Sequence, residues 1–345
     1  MRSYPLLALA FIASPALAHH PGPAGVGSGS GLTVHGTDTL AKGQGAAGLR
    51  FLFTRPDRRS DEELAGLAGM HVHAHDSDYD LNVSLGFAYG ITDRLTVSAE
   101  LPYVRRDDLR AGEHSHSGGA SHNSVEQLGT VAGFGDASIL AKYRLTGNEG
   151  VRLALFGGVK LPTGGTHRTS DDGERLETEH QPGTGSWDPM VGGSAAVTKG
   201  ALQVTASALY QFSTKGAQRT RLGDRLQGGI AFCLRFGPGE DHHEAEEHHH
   251  DAGDEHHQHE VTEHGHQSWD AILEVAGEWE GRQRISGVIE NESGGAWVYA
   301  APGVRFNSAN GWSAAAAVAI PLWQNIRQSH PDNSYRLIVS LGRSF

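Results

Sequence analysis

One pattern recurs along most of this chain: about ten residues of alternating apolar and polar character, then a tight turn or a long polar loop. In "LNVSLGFAY", Leu81, Val83, Leu85, Phe87 and Tyr89 share one face, while Asn82, Ser84, Gly86 and Ala88 share the other. Period two marks a strand with one apolar side. The same reading gives twelve segments: 44–54, 79–89, 95–105, 135–145, 151–161, 187–197, 202–212, 224–236, 268–280, 297–306, 312–322 and 335–345. These segments are longer than the usual soluble strand of about five or six residues. Twelve is even, as an up-and-down barrel with no open edge requires.

The amino terminus tells where such a sheet would sit. Met1-Arg2 leads into the apolar run Leu6 to Ile12 and then "ALA" at Ala16 to Ala18, the form of a secretory signal peptide cut after Ala18. No later apolar run approaches the length of a membrane helix, so a membrane crossing has to be made of strands. The apolar faces end in aromatics at Tyr89, Tyr103, Tyr143, Tyr210, Phe212, Trp269, Trp279 and Trp312, which suits girdles at the two interfaces. The last strand, "YRLIVSLGRSF", ends on Phe345. Arg343 interrupts its apolar face one step from the end, where a long basic side chain can snorkel to the interface.

The expected fold is therefore all-β: a closed antiparallel up-and-down transmembrane β-barrel of about 12 strands, of outer-membrane type. Residues 1–18 are the signal peptide, 19–43 a flexible N-terminal segment with no plug domain, and 44–345 the barrel. Charges on the other face, Lys142, Arg144, Arg152, Lys160, Glu274 and Glu278, are expected to line a polar lumen. The single cysteine, Cys233, rules out an intrachain disulfide framework.

Loop parity sets the topology. The connections 90–94, 146–150, 198–201 and 307–311 are short and read as periplasmic; 55–78, 106–134, 162–186, 213–223, 281–296 and 323–334 are longer and read as extracellular. One periplasmic connection breaks the rule. It carries "EDHHEAEEHHHDAGDEHHQHEVTEHGH", Glu240 to His266, with ten histidines, ten carboxylates and no lysine or arginine. Such a composition builds no core, so 237–267 reads as a disordered His/Asp/Glu-rich insert on the periplasmic side. Of the chain's 40 acidic residues, removing these ten leaves 30 against 28 basic ones, so the acidity is local and nucleic acid is not an expected partner.

Neutral imidazole binds zinc, nickel, cobalt and copper, and carboxylates add charge and further donors. The candidate ligands in the insert are His242, His243, His248, His249, His250, His256, His257, His259, His264 and His266. Their close spacing allows many sets of four on a flexible chain, which favours capture and exchange over one rigid site. A solvated acidic tether is the plainer interpretation. Two outer loops repeat the theme: "MHVHAHDSD" offers His71, His73 and His75, expected to converge from one side of an extended chain, and "EHSHSGGASH" offers His114, His116 and His122. Isolated His35, His167, His180 and His330 read as ordinary exposed polarity. The His19-His20 terminus left by signal cleavage can chelate copper or simply form a mobile tail. No cofactor is required by any motif; a transition ion enters as ligand or substrate. Nothing resembles a nucleophile elbow, HExxH or Walker loop, so no enzyme is expected.

Four further stretches carry a resemblance: "GFGDASILAKYRL" at Gly133 to Leu145, "GGVKLPTG" at Gly157 to Gly164, "GGAWVYAAPGVRF" at Gly294 to Phe306 and "AVAIPLWQ" at Ala317 to Gln324. Together they make the chain, over roughly 40–345, similar to the family of outer-membrane β-barrel transporters associated with the meta-pathway of phenol degradation. The resemblance implies a channel or uptake role. Physically the motifs read as architecture, with prolines ending upward strands in "ELPYV", "KLPTG" and "IPLWQ" near the outer rim, and glycines allowing close packing.

Three functions follow as expectations. The first is a passive channel admitting transition metal ions to the periplasm, with histidines as capture sites and a periplasmic metal-binding protein as a further partner. The second is a channel for small aromatic or apolar compounds, with the insert as a metal buffer. The third is a non-transporting surface or scaffold protein. The topology makes a direct prediction: an epitope inserted at Gly253 should be reached by antibody only after the outer membrane is permeabilised, and labelling on intact cells would reverse the barrel's orientation.

Overall fold

The computed structural model describes residues 31–117, 120–146, 150–237 and 267–345. The signal peptide and all ten histidines of the insert lie outside the described residues. Twelve strands form the barrel: β1 (Gly45–Pro56), β2 (Tyr79–Thr92), β3 (Leu95–Ser117), β4 (Ser138–Arg144), β5 (Val151–Lys160), β6 (Asp188–Lys199), β7 (Leu202–Gln211), β8 (Arg225–Phe236), β9 (Ser268–Glu280), β10 (Gly295–Asn307), β11 (Trp312–Ile326) and β12 (Asn333–Ser344). Each pairs antiparallel with its neighbours in sequence, and β12 returns to β1 in the register Ala46↔Ser344 to Arg55↔Tyr335, closing the sheet. Every predicted strand is present, most with bounds displaced by a few residues, and β3 runs on well past its expected end to Ser117.

Closure answers the demand of a hydrocarbon layer that every backbone amide be paired within the protein. The side chains then sort by period. Along β9, Trp269, Leu273, Val275 and Trp279 face outward, while Asp270, Ile272, Glu274 and Glu278 face the lumen. Tyr89, Tyr143, Trp269 and Trp312 form an outward-facing girdle at the end with the short turns and the carboxyl terminus; Tyr103, Phe212, Trp279 and Tyr335 form another at the long-loop end. Two such girdles mark the interfaces of a membrane-spanning barrel, and loop parity assigns the short-turn end to the periplasm. Arg343 lies with its guanidinium carbon 5.4 Å from the centre of the Trp312 ring, a cation-π contact that explains its tolerance on the outer face.

Three expectations need correction. The segment 106–134, read as a loop, is an extension of the sheet: β3 runs on past the barrel and Ala120–Phe134 folds back along it. Leu109, Leu128 and Val131 give it an apolar patch of its own against Leu176. Pro102 marks the handover, because β3 pairs with β4 only as far as Glu100 and with the returning arm from Tyr103. A residue without an amide hydrogen sits where the ladder changes partner. Pro321 likewise lies inside β11, at a register shift, rather than at its end.

The second correction concerns 57–78, which contains a helix, α1 (Asp61–Gly69), started by a capping box in which Ser60 and Glu63 satisfy each other's backbone amides.

The third concerns residues 19–43, expected to be flexible. Their described part, 31–43, lies inside the barrel, and Leu32, Val34, His35, Thr37 and Leu40 are buried there. A charged substitution on the lipid face at mid-height should be costly. Leu273→Arg is expected to lower stability by about 2–4 kcal/mol in lipid-refolding titrations, and an unchanged midpoint would place that face in the lumen instead.

Candidate functional site

The lumen is closed near its periplasmic end by the N-terminal segment. Glu274 on β9 accepts hydrogen bonds from the backbone amides of Leu32 and Thr33 and from the Thr33 hydroxyl at 2.8 Å. Arg305 on β10 donates to the Gly31 carbonyl at 2.7 Å, and Ser207 accepts from the His35 amide at 3.0 Å. Farther along, Arg152 pairs with the Asp38 carboxylate at 3.0 Å, Lys142 donates to the Asp38 carbonyl at 3.1 Å, and Thr96 accepts from the Leu40 amide at 2.8 Å. The segment thus spans the lumen from β9 round to β3. Gly90 meets it where it leaves: a Cβ there would come within 2.1 Å of the Ala41 carbonyl oxygen.

The six predicted lumenal charges therefore have specific positions. Glu274, Arg152 and Lys142 hold the segment. Arg144 donates to the Asp93 carbonyl at the periplasmic turn, 3.0 Å away. Glu278 pairs with Arg336 at 2.8 Å, and Arg336 also lies over the Tyr299 ring, 4.3 Å from its centre. Lys160 bridges Asp136 at 2.6 Å and Asp188 at 3.0 Å at the outer rim. Asp136 also accepts from the Gly164 amide at 2.9 Å, so "GFGD" and "KLPTG" meet as one structural unit. A Cβ on Gly164 would lie 2.6 Å from the Gly183 Cα, which fixes glycine at that crossing.

At the outer end, loops cover the mouth. Asp76, fully buried, receives the Arg110 guanidinium at 3.0 Å and the Arg59 amide at 2.8 Å, which anchors the 57–78 loop on the hairpin. The neighbouring His75 is buried too. Its ring centre lies 4.4 Å from that of His180 and 4.5 Å from that of His330. Its Nδ1 stands 3.9 Å from Glu179 Oε1, and the Nε2 of His180 stands 3.9 Å from the same oxygen. Gln283, from the β9–β10 loop, donates to the other Glu179 oxygen at 2.9 Å.

Burial keeps these imidazoles neutral: His75 is held well below the usual histidine range, His180 is lowered to about 3, and His330 is lowered too. Burial, reinforced by Glu177, pushes the Glu179 carboxyl up to about 8.

Three spaces follow one another down the axis. An outer cavity of 460 Å³, bordered by Glu113, Glu126, Glu174 and Glu177, opens above the cluster. A chamber of 230 Å³ lies beneath it, and His75, Glu179 and His180 border both. Below the Glu278–Arg336 pair is a chamber of 100 Å³ with Leu52, Tyr299, Ala301, Ala319 and Ile338 along one wall and Thr33 and His35 of the N-terminal segment in its lining.

The loop histidines divide differently from the expectation. His71, His73 and His75 do not converge: His71 adopts a positive φ of 60° and the Ala74 amide bonds back to the Val72 carbonyl at 2.9 Å, so the run is not extended. His71 and His73 stay exposed, and His71 packs its ring against His114 at 4.7 Å. His122 pairs opposite Ser115 in the hairpin and so faces away from the side of His114. His180 and His330, read as ordinary exposed polarity, are instead central, and His35 is buried beside Phe156. No spacing in the sequence joins positions 75, 179, 180 and 330; only the returning loops do.

No protein-family model matches this sequence, and no curated protein matches it. Among solved structures, an outer membrane channel from Pseudomonas putida F1 has a TM-score of 0.55 with 15% identity, covering 90% of this chain and 98% of that one. A Pseudomonas aeruginosa FadL homologue (TM-score 0.39, 8% identity, 94% and 96% covered) and the TodX deltaS2S3 mutant monoaromatic hydrocarbon channel (0.40, 10%, 89% and 90%) are more distant. The first likeness establishes the outer-membrane barrel fold. The loop anchor gives a prediction: Asp76→Ala takes from buried Arg110 its buried carboxylate partner and leaves it the exposed Asp61, a loss of up to about 3 kcal/mol. Faster proteolysis within 57–78 is expected, with the barrel's heat-modifiable gel mobility intact; unchanged proteolysis would mean the pair does not anchor the loop.

Proposed function

We propose that this protein is a passive outer-membrane channel for small compounds with an aromatic or apolar body, whose own N-terminal segment is its movable plug. The carrying observation is the lining of the inner chamber, where Leu52, Tyr299, Ala301, Ala319 and Ile338 stand beside the charged Arg50, Glu278 and Arg336. Such a lining suits a solute that buries an apolar body and offers one or two polar groups. The segment 31–43 is held by charged and hydroxyl side chains of seven strands. Passage requires those contacts to open, and each has a polar replacement in entering water.

Passage of metal ions is the second reading, and the acidic, histidine-bearing outer cavity favours it. Lower down, the support weakens. Glu278 and Glu100 are each paired with an arginine, Glu274 is engaged by the plug, the plug's own Asp38 by Arg152, and Asp270 by Arg235 and Arg305. Among the described residues, groups able to share an ion occur only in the outer loops. In the aromatic reading the insert 240–266 serves as a periplasmic metal buffer. The resemblance to the phenol-pathway transporters agrees with the same substrate class.

Removing 31–41 is expected to convert a mostly closed channel in planar bilayers into one with sustained conductance. Cells lacking the protein should accumulate a labelled monoaromatic compound more slowly and take up zinc, nickel, cobalt and copper normally. Normal aromatic uptake combined with slowed metal uptake would replace this reading by the second.

A further inference from the structure

His75, Glu179 and His180 border both the outer cavity and the chamber beneath it, and His330 lines that chamber. Ligand atoms of His75, Glu179 and His330 all lie within 4.8 Å of one another. Glu179 Oε1 is shared, at 3.9 Å, by His75 and by His180. The Nε2 of His180 is buried with no hydrogen-bond partner, in a residue only 6% exposed. An unpaired nitrogen in that setting costs stability unless something meets it. Donors about 2.0–2.1 Å from a zinc ion stand about 3.3 Å apart in a tetrahedral set, so His75, Glu179 and His330 close onto an ion with shifts of under about an ångström each, and His180 meets that set through Glu179.

The backbones beneath these side chains are independently fixed. The His75 amide donates to the Ser329 carbonyl at 3.0 Å, Arg59 donates to the His330 carbonyl at 2.6 Å, and Arg106 donates to the His180 carbonyl at 2.9 Å. Gln283 orients Glu179 from behind through its other oxygen, the arrangement by which a second layer of residues sets a ligand's direction.

We propose that His75, Glu179 and His330, with His180 as fourth donor, bind a divalent first-row transition ion of the zinc, copper, nickel or cobalt class, which clasps the outer loops shut. Neutral imidazoles are already the ligand form, and the ion supplies the positive charge that a buried Glu179 carboxylate lacks. The site joins the loop after β1, the loop after β5 and the loop after β11, with the β9–β10 loop attached through Gln283. Its place at the narrowing between two cavities makes the ion a gate element, and this holds whichever solute the lumen passes.

The test uses the full mature chain in detergent and in proteoliposomes, with zinc as the probe. Equilibrium dialysis compares wild type, His75→Ala/His330→Ala, Glu179→Gln, and a His71→Ala/His73→Ala control, all carrying the same 240–266 segment. The double variant is expected to bind one equivalent fewer at matched free zinc and to lose zinc-dependent protection of the outer loops from protease. Glu179→Gln, which keeps its shape and a partner for Gln283, should bind at least tenfold more weakly at this site. The control should behave as wild type. Heat-modifiable mobility verifies that each barrel is folded. An unchanged zinc stoichiometry in the double variant overturns the site; a lost equivalent with no change in protection overturns the clasp.

Discussion

The constraint on which the rest depends is that a strand crossing hydrocarbon must pair every amide, so the sheet has to close. Closure puts one side of every strand on a lumen only twelve strands round, and the charges placed there have to find partners within it. Arg50 meets Glu100, Arg336 meets Glu278, and Arg235 and Arg305 meet Asp270. A pair drawn together across a narrow, partly dry space is firmer than the same pair on a surface. What remains after this pairing, Glu274 together with Lys142 and Arg152, is satisfied by the chain's own amino-terminal segment.

The barrel is consequently closed twice by different means. At the periplasmic end the closure consists of backbone groups and one carboxylate, held by side chains that water or a solute can replace singly. At the outer end it consists of loops pinned by a buried Asp76–Arg110 pair and meeting at histidines. The two lie on either side of the chambers in which a solute would reside, so entry and exit are controlled by separate elements. In the proposed reading, histidine and carboxylate let the outer closure answer to ions, and polar contacts let the inner one answer to hydration and solute.

Much of this was legible from period two alone. Leu81 to Tyr89 and Trp269 to Trp279 read as strands because half of each faces lipid and half does not, and the same alternation assigned Glu274 and Glu278 to the lumen. The plug was not legible. "GLTVHGTDTL" alternates only over Leu32 and Val34, then turns to glycine, threonine and aspartate, since a chain lying in a polar lumen needs hydrogen-bonding groups rather than an apolar stripe. The outer cluster was hidden for another reason. Two of its histidines, His180 and His330, sit singly in polar loops and are buried by loops distant in sequence, and the third, His75, stands in the His71-x-His73-x-His75 run, which is broken by its own turn. The hairpin above the membrane was taken for a loop because Glu113 to His122 is polar on both faces, as a strand pair standing in water can be.

The native Cys233 offers the most direct measurement of the central claim. It is the protein's one cysteine, it lies on the lumen face of β8 in the periplasmic half, and it is fully buried in the same cluster as Leu32. With the plug in place, a membrane-impermeant maleimide added to the folded, full-length protein should leave Cys233 unmodified. A chain lacking 31–41, folded to the same heat-modifiable form, should be labelled in the same time. Equal labelling of the two would contradict the account, because the lumen would then be open past Cys233 whether or not the segment is there.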